Sequence, residues 1–481
     1  MAEHISYSPT PGISYDPSED VYWDPEALQA EVDRTFEICH GCRMCFKYCD
    51  SFPDLFSFID DRHDGDVRSV TATETAQVMD ECFQCKLCEV QCPYTVRDGH
   101  DFQLDFPKLV HRFKAQRTMA EGLGRREKLL GDPDGTARLA RASGGLANAL
   151  NSRSRLHRLF LEKVLGIHRD KDLPTFASTT FTKWASGEGL VSDDPTNGEA
   201  VLFPTCYVEH NEPEVGRDTV SVLQRNGVEI TCEQGLVCCG MPAWEAGDLE
   251  GLQTRATTNL DRLEPHVDAG KKVLAINPTC SMMFRREYPT LVAPEDRERA
   301  AKVAEAVSDP SEFLWSIRDE DRFDEGFAST PGAVSYHAPC HLRAQAVGFR
   351  GRDLLRKIPG VKPSMTMECC GHDGTHAMKV EGFEASVRIG RRAFDEMASG
   401  GNGSAEVWAT DCPLAALQFA QHADRRPLHP MTILARAYEP DGFPTPVEFP
   451  NADDPDDRAD SGSPGSSGSP GNPTGQAGAP S

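Results

Sequence analysis

The chain has 481 residues and carries 50 Lys and Arg against 75 Asp and Glu, a formal net charge of −25. So acidic a chain disfavours nucleic-acid binding, because phosphate contacts require clustered Lys and Arg. The sequence shows no leader typical of a signal peptide and no run near the ~18 apolar residues of a transmembrane helix, so we expect a cytoplasmic protein.

The N-terminal residues 1–27 are polar and rich in Pro and Tyr, which predicts a flexible arm. A helix is expected to begin at Asp24-Pro25, because Asp is a favoured N-cap and Pro fits the first helical turn. This helix should lead directly into a dense group of cysteines, which occupies the domain predicted over residues 28–104.

Residues 105–196 are predicted to be a helical linker and form the basic part of this acidic chain. Apolar positions such as Leu156, Phe160 and Val164 recur there at helical spacing, which predicts amphipathic helices. From residue 197 to 445, short apolar strands alternate with helical stretches, which predicts an α/β architecture. The expected strands are 200–204, 272–276, 333–337 and 406–410. Residues 446–481 are mostly Asp, Ser, Gly and Pro and predict a disordered acidic tail.

Sixteen of the seventeen cysteines fall into two groups of eight, and the first group contains C-x2-C-x2-C-x3-C twice. In two-cluster ferredoxins, three thiolates of such a run bind one 4Fe-4S cluster and the fourth binds the other cluster. The predicted ligands are Cys39, Cys42, Cys45 and Cys92 for cluster 1, and Cys82, Cys85, Cys88 and Cys49 for cluster 2.

Two zinc sites are the alternative interpretation, because zinc also binds four thiolates. Zinc favours paired C-x2-C knuckles, whereas this chain has triple runs closed by a distant cysteine, so we prefer clusters. Asp50 rather than Pro follows Cys49, and 32 residues separate Cys49 from Cys82, which favours a helical ferredoxin domain with an insertion. We expect His40 to face solvent and Lys86 to be a surface charge.

The second cysteine group contains an internal duplication. A lone cysteine, a vicinal Cys-Cys-Gly and a late cysteine occur twice, at offsets of 134, 131 and 132 residues, and a near-constant offset indicates a duplicated unit. Each lone cysteine follows a short strand, and open α/β sheets bind ligands at the carboxyl ends of strands. The predicted sets are Cys206, Cys238, Cys239 and Cys280 (CCG site 1, module 197–325) and Cys340, Cys369, Cys370 and Cys412 (CCG site 2, module 326–445). We expect Cys232 to be an ordinary thiol.

Metal or cluster binding is the preferred interpretation of these two sets. Redox-active disulfides and buried small residues are the alternatives for the vicinal pairs. Gly240 and Gly371 fit a tight turn that directs both thiolates inward. His337, His341 and His372 are expected to support the second site.

Two ferredoxin-type motifs followed by two CCG modules resemble the family that contains the C subunit of anaerobic glycerol-3-phosphate dehydrogenase and the heterodisulfide reductase-related iron–sulfur proteins. The resemblance covers residues from about 30 to 440 and includes the segments 203–213, 278–289 and 429–437. It implies an α+β multidomain fold, in which a helical dicluster ferredoxin domain precedes a duplicated α/β CCG cysteine-rich domain.

The resemblance also implies an iron–sulfur electron-transfer subunit of an oxidoreductase. A flavoprotein dehydrogenase subunit of the glycerol-3-phosphate, glycolate or lactate type would supply electrons. They would pass through two 4Fe-4S clusters, and through one or two further clusters at the CCG sites, to quinone or another redox partner. The basic linker 105–196 is then the candidate for peripheral docking on the inner face of the cell membrane, with a solvated linker as the alternative.

Two other functions stay open at this point. One is a thiol–disulfide or heterodisulfide reductase with the CCG domain as the catalytic end. The noncubane clusters of heterodisulfide reductases use an additional cysteine in a terminal C-x2-C, where this chain has Met283 and Ala415, and this difference disfavours that chemistry. The other is a zinc-bound scaffold without enzymatic function.

Overall fold

The computed structural model describes residues 5–192, 194–372, 374–403 and 405–446. The tail predicted over residues 446–481 therefore lies outside the described residues, apart from Pro446.

The first part of the chain is a helical unit around the first eight cysteines. Asp24 caps its first helix as expected, because its carboxylate accepts a hydrogen bond from the Glu26 backbone N–H at 2.9 Å. Phe36, Phe52 and Leu109 form part of the buried core that surrounds the cysteine loops. The helices are α1 (Pro25–Cys42), α2 (Ser51–Ser57), α3 (Ala72–Asp80), α4 (Leu87–Gln91) and α5 (Phe106–Glu121).

The described N-terminal residues differ from the expected flexible arm, because they pack on this helical unit and on the first module. Tyr22 is 1% exposed, and its backbone carbonyl accepts a hydrogen bond from Arg112 Nε at 2.8 Å. Asp16 forms an ion pair with Arg297, far along the chain. A segment without a hydrophobic period can thus be held by side chains that satisfy its backbone carbonyls.

The linker is helical, as predicted. It consists of α6 (Arg125–Leu130), α7 (Pro133–Ala142), α8 (Leu146–Arg153), α9 (Arg155–Leu165) and α10 (Phe181–Gly187). Helices α7 and α8 pack against their chain neighbours, and α7 also contacts the first helix of the following module.

The first module is an α/β unit with a parallel four-stranded sheet of order β2-β1-β3-β4. Strand β1 pairs with β3 in the register Ala200↔Lys272. The elements are β1 (Ala200–Phe203), α11 (Thr205–His210), α12 (Pro213–Arg225), β2 (Ile230–Cys232), α13 (Met241–Glu245), α14 (Leu249–Asp268), β3 (Lys272–Ala275), α15 (Pro278–Met282), α16 (Tyr288–Leu291), α17 (Arg297–Ala306), β4 (Val307–Ser308) and α18 (Pro310–Ser316).

The second module repeats this plan in a parallel sheet of order β7-β6-β8, with Val334 opposite Val407. Because β6, β7 and β8 occupy the places of β1, β2 and β3, the strand order matches the duplication expected from the cysteine offsets. The elements are β5 (Ser329–Thr330), β6 (Val334–His337), α19 (Cys340–Gln345), α20 (Arg350–Leu355), β7 (Ser364–Thr366), α21 (Val380–Ser399), β8 (Val407–Thr410), α22 (Pro413–His422), α23 (Pro430–Ala437) and β9 (Thr445–Pro446).

The two modules share one hydrophobic core. Leu202 and Leu274 of the first sheet and Val334 and Tyr336 of the second belong to the same buried cluster. Shared burial of this kind fixes the two sheets relative to each other. Their cysteine-bearing edges are therefore held in a defined arrangement.

Candidate iron–sulfur sites

The first predicted set of cysteines surrounds a small cavity. Cys39, Cys42, Cys45 and Cys92 all line it, although Cys92 belongs to the second motif in sequence. Burial raises the pKa of the Cys39 thiol well above its usual value, and the charges of Cys45, Cys92 and Cys42 raise it further. The three thiols of the first run and the distant fourth thiol are thus neighbours, as the crossed assignment requires.

The second set lies deeper in the helical unit. Burial raises the pKa of Cys88 well above its usual value, and Cys45, Cys82, Cys85 and Cys49 add to this effect. The pKa of Cys49 is raised to about 12, first by burial and then by Cys82. Cys49 therefore lies with the cysteines of the second motif, although it ends the first motif in sequence.

The two sets are in direct contact and differ in exposure. The Cys45 thiol donates to the Cys88 carbonyl at 3.8 Å, which joins one set to the other. The four cysteines of the first set are partly exposed, whereas the four of the second set are buried. Beside the first set, Met44 is 44% and Phe46 is 62% exposed.

The two motifs share one local backbone feature. The residue after the second cysteine of each run, Arg43 or Lys86, has a left-handed backbone with φ of 55° and 59°. The left-handed residue ends α1 at Arg43 and immediately precedes α4 at Lys86. Expected to be a surface charge, Lys86 is instead 1% exposed and forms an ion pair with Glu287 of the first module at 2.7 Å. Its burial was not predictable, because Glu287 lies far away in sequence.

CCG site 1 gathers its four predicted cysteines at the carboxyl ends of β1, β2 and β3. The thiols of Cys206 and Cys239 donate to Cys238, which lowers the pKa of Cys238 and raises the pKa of both donors. Cys239 also hydrogen-bonds to Cys280, so the four sulfurs form a continuous group. The Tyr288 hydroxyl donates to the Cys239 carbonyl at 2.9 Å and holds the vicinal pair in place.

CCG site 2 lies at the matching edge of the second sheet. Cys340 and Cys369 pack against the core of the ferredoxin unit, whereas Cys370 and Cys412 pack in a separate small cluster with Phe419. The Gly371 backbone N–H donates to the Cys369 sulfur at 3.3 Å. The CCG turn therefore orients the vicinal pair through its own backbone.

The surroundings of CCG site 2 contain a buried histidine without a partner. His372 is 3% exposed, and neither ring nitrogen has a hydrogen-bond partner among the described residues. An unsatisfied buried imidazole is costly, and the sulfur atoms of a bound cluster would accept its N–H. Lys171 also lies near Cys370 and is fully buried.

The residues present fit iron–sulfur groups at these sites. The two ferredoxin sets offer thiols, such as those of Cys39, Cys49 and Cys88, whose deprotonation is opposed mainly by burial and by neighbouring thiols. A bound cationic group removes that opposition. Within the described part of the chain, no three His, Cys, Asp or Glu side chains are arranged to hold a single metal ion. Met283 and Ala415 are buried at 0% and 1% exposure where a noncubane site would need cysteine.

Comparison with known proteins agrees with this arrangement. A 4Fe-4S dicluster domain matches residues 38–97, and the CCG cysteine-rich domain matches residues 200–285 and 334–420. Lactate utilization protein A of Bacillus thuringiensis (strain Al Hakam) is 32% identical over 192 residues, which are 38% of this chain and 75% of that protein. The chain belongs to the CCG-domain iron–sulfur protein family.

A second member of this family covers more of the chain. The C subunit of the anaerobic glycerol-3-phosphate dehydrogenase of Escherichia coli (strain K12) is 28% identical over 286 residues, 58% of this chain and 69% of that protein. The chain is thus an iron–sulfur electron-transfer subunit related to these family members, and its expected fold class is confirmed. No helix in the described ranges is long and apolar enough to span a bilayer.

Proposed function

We propose that this chain relays electrons from a flavoprotein dehydrogenase subunit of the glycerol-3-phosphate, glycolate or lactate type to a quinone. The observation that carries this proposal is the contact between cysteine sets, from the partly exposed first set to the second set and on to Cys340 and Cys369 of CCG site 2. A bound 4Fe-4S cluster takes up and releases single electrons. The residues proposed to hold such groups are the sixteen cysteines of the four sets.

The first set is the proposed place where electrons arrive. Its cysteines are partly exposed, and the exposed Met44 and Phe46 provide an apolar surface beside them. Exposed apolar side chains next to a redox site suit a partner protein, because Met and Phe are enriched at interfaces. The flavoprotein subunit is therefore expected to dock there.

An apolar cavity of about 470 Å³ beside CCG site 1 supports a quinone as the acceptor. Cys206, Cys238, Cys239 and Cys280 contribute to one wall, and linker side chains such as Leu161 contribute to another. Ligand pockets of small molecules are typically 300–1,000 Å³ and mostly apolar. A lipophilic acceptor can therefore lie against the cysteine wall while the linker helices exclude water.

EPR spectroscopy of the reduced protein, before and after addition of quinone, tests this relay. Anaerobically prepared protein, reduced with dithionite, should show an EPR signal of reduced iron–sulfur centres and lose it on mixing with a short-chain quinone. Ala140 lines the cavity, so Ala140→Phe should slow this reoxidation severalfold by filling the space. Ala142→Phe on the exposed side of the same helix is the matched control. Reduced protein without any iron–sulfur EPR signal would overturn the proposal.

The outer surface of the linker supports docking on a membrane. Helix α9 lines the cavity with Leu161 and Leu165, and on its other side Leu156 is 80%, Phe160 57% and Val164 59% exposed. Exposed basic residues accompany them, namely Arg155 and Lys163 on α9, Arg138 on α7, and Arg125 and Lys128 on α6. Basic amphipathic helices of this kind bind anionic lipid surfaces.

Vesicle binding tests this surface. The triple variant Leu156→Ser, Phe160→Ser, Val164→Ser should bind anionic vesicles at least tenfold more weakly, because full burial of each side chain contributes about 1.5–3 kcal/mol and about 1.4 kcal/mol is tenfold. Cosedimentation with phosphatidylglycerol-containing vesicles measures the effect. Serine at Val96, Met367 and Val380, three exposed apolar positions outside the linker, is the matched control. Equal binding of both triple variants would exclude α9 as the docking surface.

A further inference from the structure

One buried histidine contacts three cysteine-bearing loops at once. His341 follows Cys340 of CCG site 2 and is 1% exposed. Its Nε2 lies 3.0 Å from the carbonyl oxygen of Gln84, the residue before Cys85. Its Nδ1 lies 2.9 Å from the hydroxyl of Thr279, the residue before Cys280. The side chain thus joins the second ferredoxin set, CCG site 1 and CCG site 2.

The contact with Gln84 defines one proton position of the His341 ring. A carbonyl oxygen only accepts hydrogen bonds, so Nε2 carries a proton and donates to Gln84. Nδ1 bonds to the Thr279 hydroxyl, which can act as donor or acceptor. Both partners are buried, so each loses a hydrogen bond if the imidazole is removed.

Neighbouring contacts bring the same three loops together. Arg286 forms an ion pair with Glu89 at 2.5 Å, which adds to the pairing of Lys86 with Glu287. Gln345 on α19 donates to the carbonyl of Pro278 at 2.9 Å. Arg286 also bonds to both of the other loops, since it donates to the Ala344 carbonyl of α19 at 2.9 Å as well as to Glu89. His341 differs from it in bonding directly to the residues that precede Cys85 and Cys280.

Another buried histidine shows that this bonding pattern is not by itself a link between sites. His337 also lies near a threonine hydroxyl and a backbone carbonyl, those of Thr410 and Glu368, each at 3.2 Å. Both of these partners belong to the second module. Only the position of His341 turns the same pair of contacts into a connection between modules.

We propose that His341 is a positioning residue that holds the second ferredoxin set next to both CCG sites, so that electrons reach the two sites in parallel. This inference rests on the proposed relay. With iron–sulfur groups bound, each transfer would take one electron from a centre held by the second set and pass it to a centre held by one CCG site. The proton on Nε2 stays in place, since its role is to fix the loop spacing on which the transfer rate depends.

Hydrogen exchange of the full-length holoprotein tests the contact directly. His341→Leu should cause loss of amide protection in two separate segments at once, 82–92 and 278–282. Thr279→Val should cause loss only in 278–282. His341→Gln should retain protection in 82–92, because its side-chain amide can still donate to Gln84. His266→Leu, which removes an equally buried imidazole bonded to Glu233, is the control and should change neither segment.

Electron transfer supplies the second readout. With iron and sulfide contents matched to the unsubstituted protein, His341→Leu should slow reoxidation by the short-chain quinone severalfold. An unsubstituted protein that never reduces the quinone would defeat the relay itself, whatever the variant does. If the relay works and His341→Leu transfers electrons at the unsubstituted rate, the proposed positioning role of His341 is overturned and the relay is not. Unchanged hydrogen exchange in both segments would have the same consequence.

Discussion

Replacing Cys92 with alanine is expected to remove the cluster of Cys39, Cys42 and Cys45 and to leave the other ferredoxin cluster in place. The reason is spatial, because Cys92 ends the second motif in sequence but lines the cavity of the first set. A 4Fe-4S cluster that lacks one of its four thiolate ligands is no longer fully ligated by the protein. Iron and acid-labile sulfide should each fall by about four per chain, the content of one 4Fe-4S cluster.

The corresponding substitution at the last cysteine of the first motif completes this test. Cys49→Ala should remove the centre of Cys82, Cys85 and Cys88, since the pKa of Cys49 is raised first by burial and then by Cys82. EPR spectra of the two variants should therefore lack different signals.

Cys232→Ala serves as the control for both variants, because Cys232 lies in β2 with its backbone N–H bonded to Leu190. Its iron content should equal that of the unsubstituted protein. If Cys92→Ala and Cys49→Ala removed the same signal, or if Cys92→Ala removed the signal of its own motif, the crossed assignment would be wrong.

Local and periodic features of this fold were predictable from the sequence. The cap at Asp24 depends on neighbouring residues alone, and the strands near 200, 272, 333 and 406 appear as Ala200–Phe203, Lys272–Ala275, Val334–His337 and Val407–Thr410. The near-constant cysteine offsets translated into two sheets with the same strand order, β2-β1-β3 and β7-β6-β8. The spacing of the cysteines therefore predicted both the duplication and the edge of each sheet at which the cysteines meet.

Contacts between distant parts of the chain were not predictable in this way. Lysine is a residue type that usually lies at the surface, yet Lys86 is buried and its charge is compensated by Glu287. Burial alone would lower the pKa of Lys86, and the carboxylate of Glu287 raises it. Tyr22 is buried because Arg112 satisfies the backbone around it. The cavity beside CCG site 1 likewise depends on where linker helices pack. Contacts between residues far apart in sequence depend on tertiary packing, and tertiary packing leaves no period or motif in the sequence.

Replacing Gly371 with alanine is expected to destabilise the second module and to lower its capacity to hold a cofactor. Gly371 has φ of 74°, and a Cβ atom there would lie 1.9 Å from the Ser386 carbonyl oxygen. A left-handed backbone costs a residue with a side chain about 1–2 kcal/mol, and overpacking adds about 1–3 kcal/mol. The expected destabilisation is therefore about 2–5 kcal/mol, measured as a lower urea midpoint under anaerobic conditions.

The clash at Gly371 cannot be relieved by a side-chain rotation, because its partner is the backbone of α21. Gly390 on the same helix faces the turn equally closely, since a Cβ atom on Gly390 would lie 2.5 Å from the Cys370 carbonyl oxygen. Either α21 moves away or the CCG turn changes shape, and both outcomes displace Cys369 and Cys370. Gly332→Ala isolates the backbone cost, since φ is 68° there and no atom lies within 4 Å of the added carbon. Should both variants unfold at the same urea concentration with equal iron content, close packing of α21 would not be what shapes the second site.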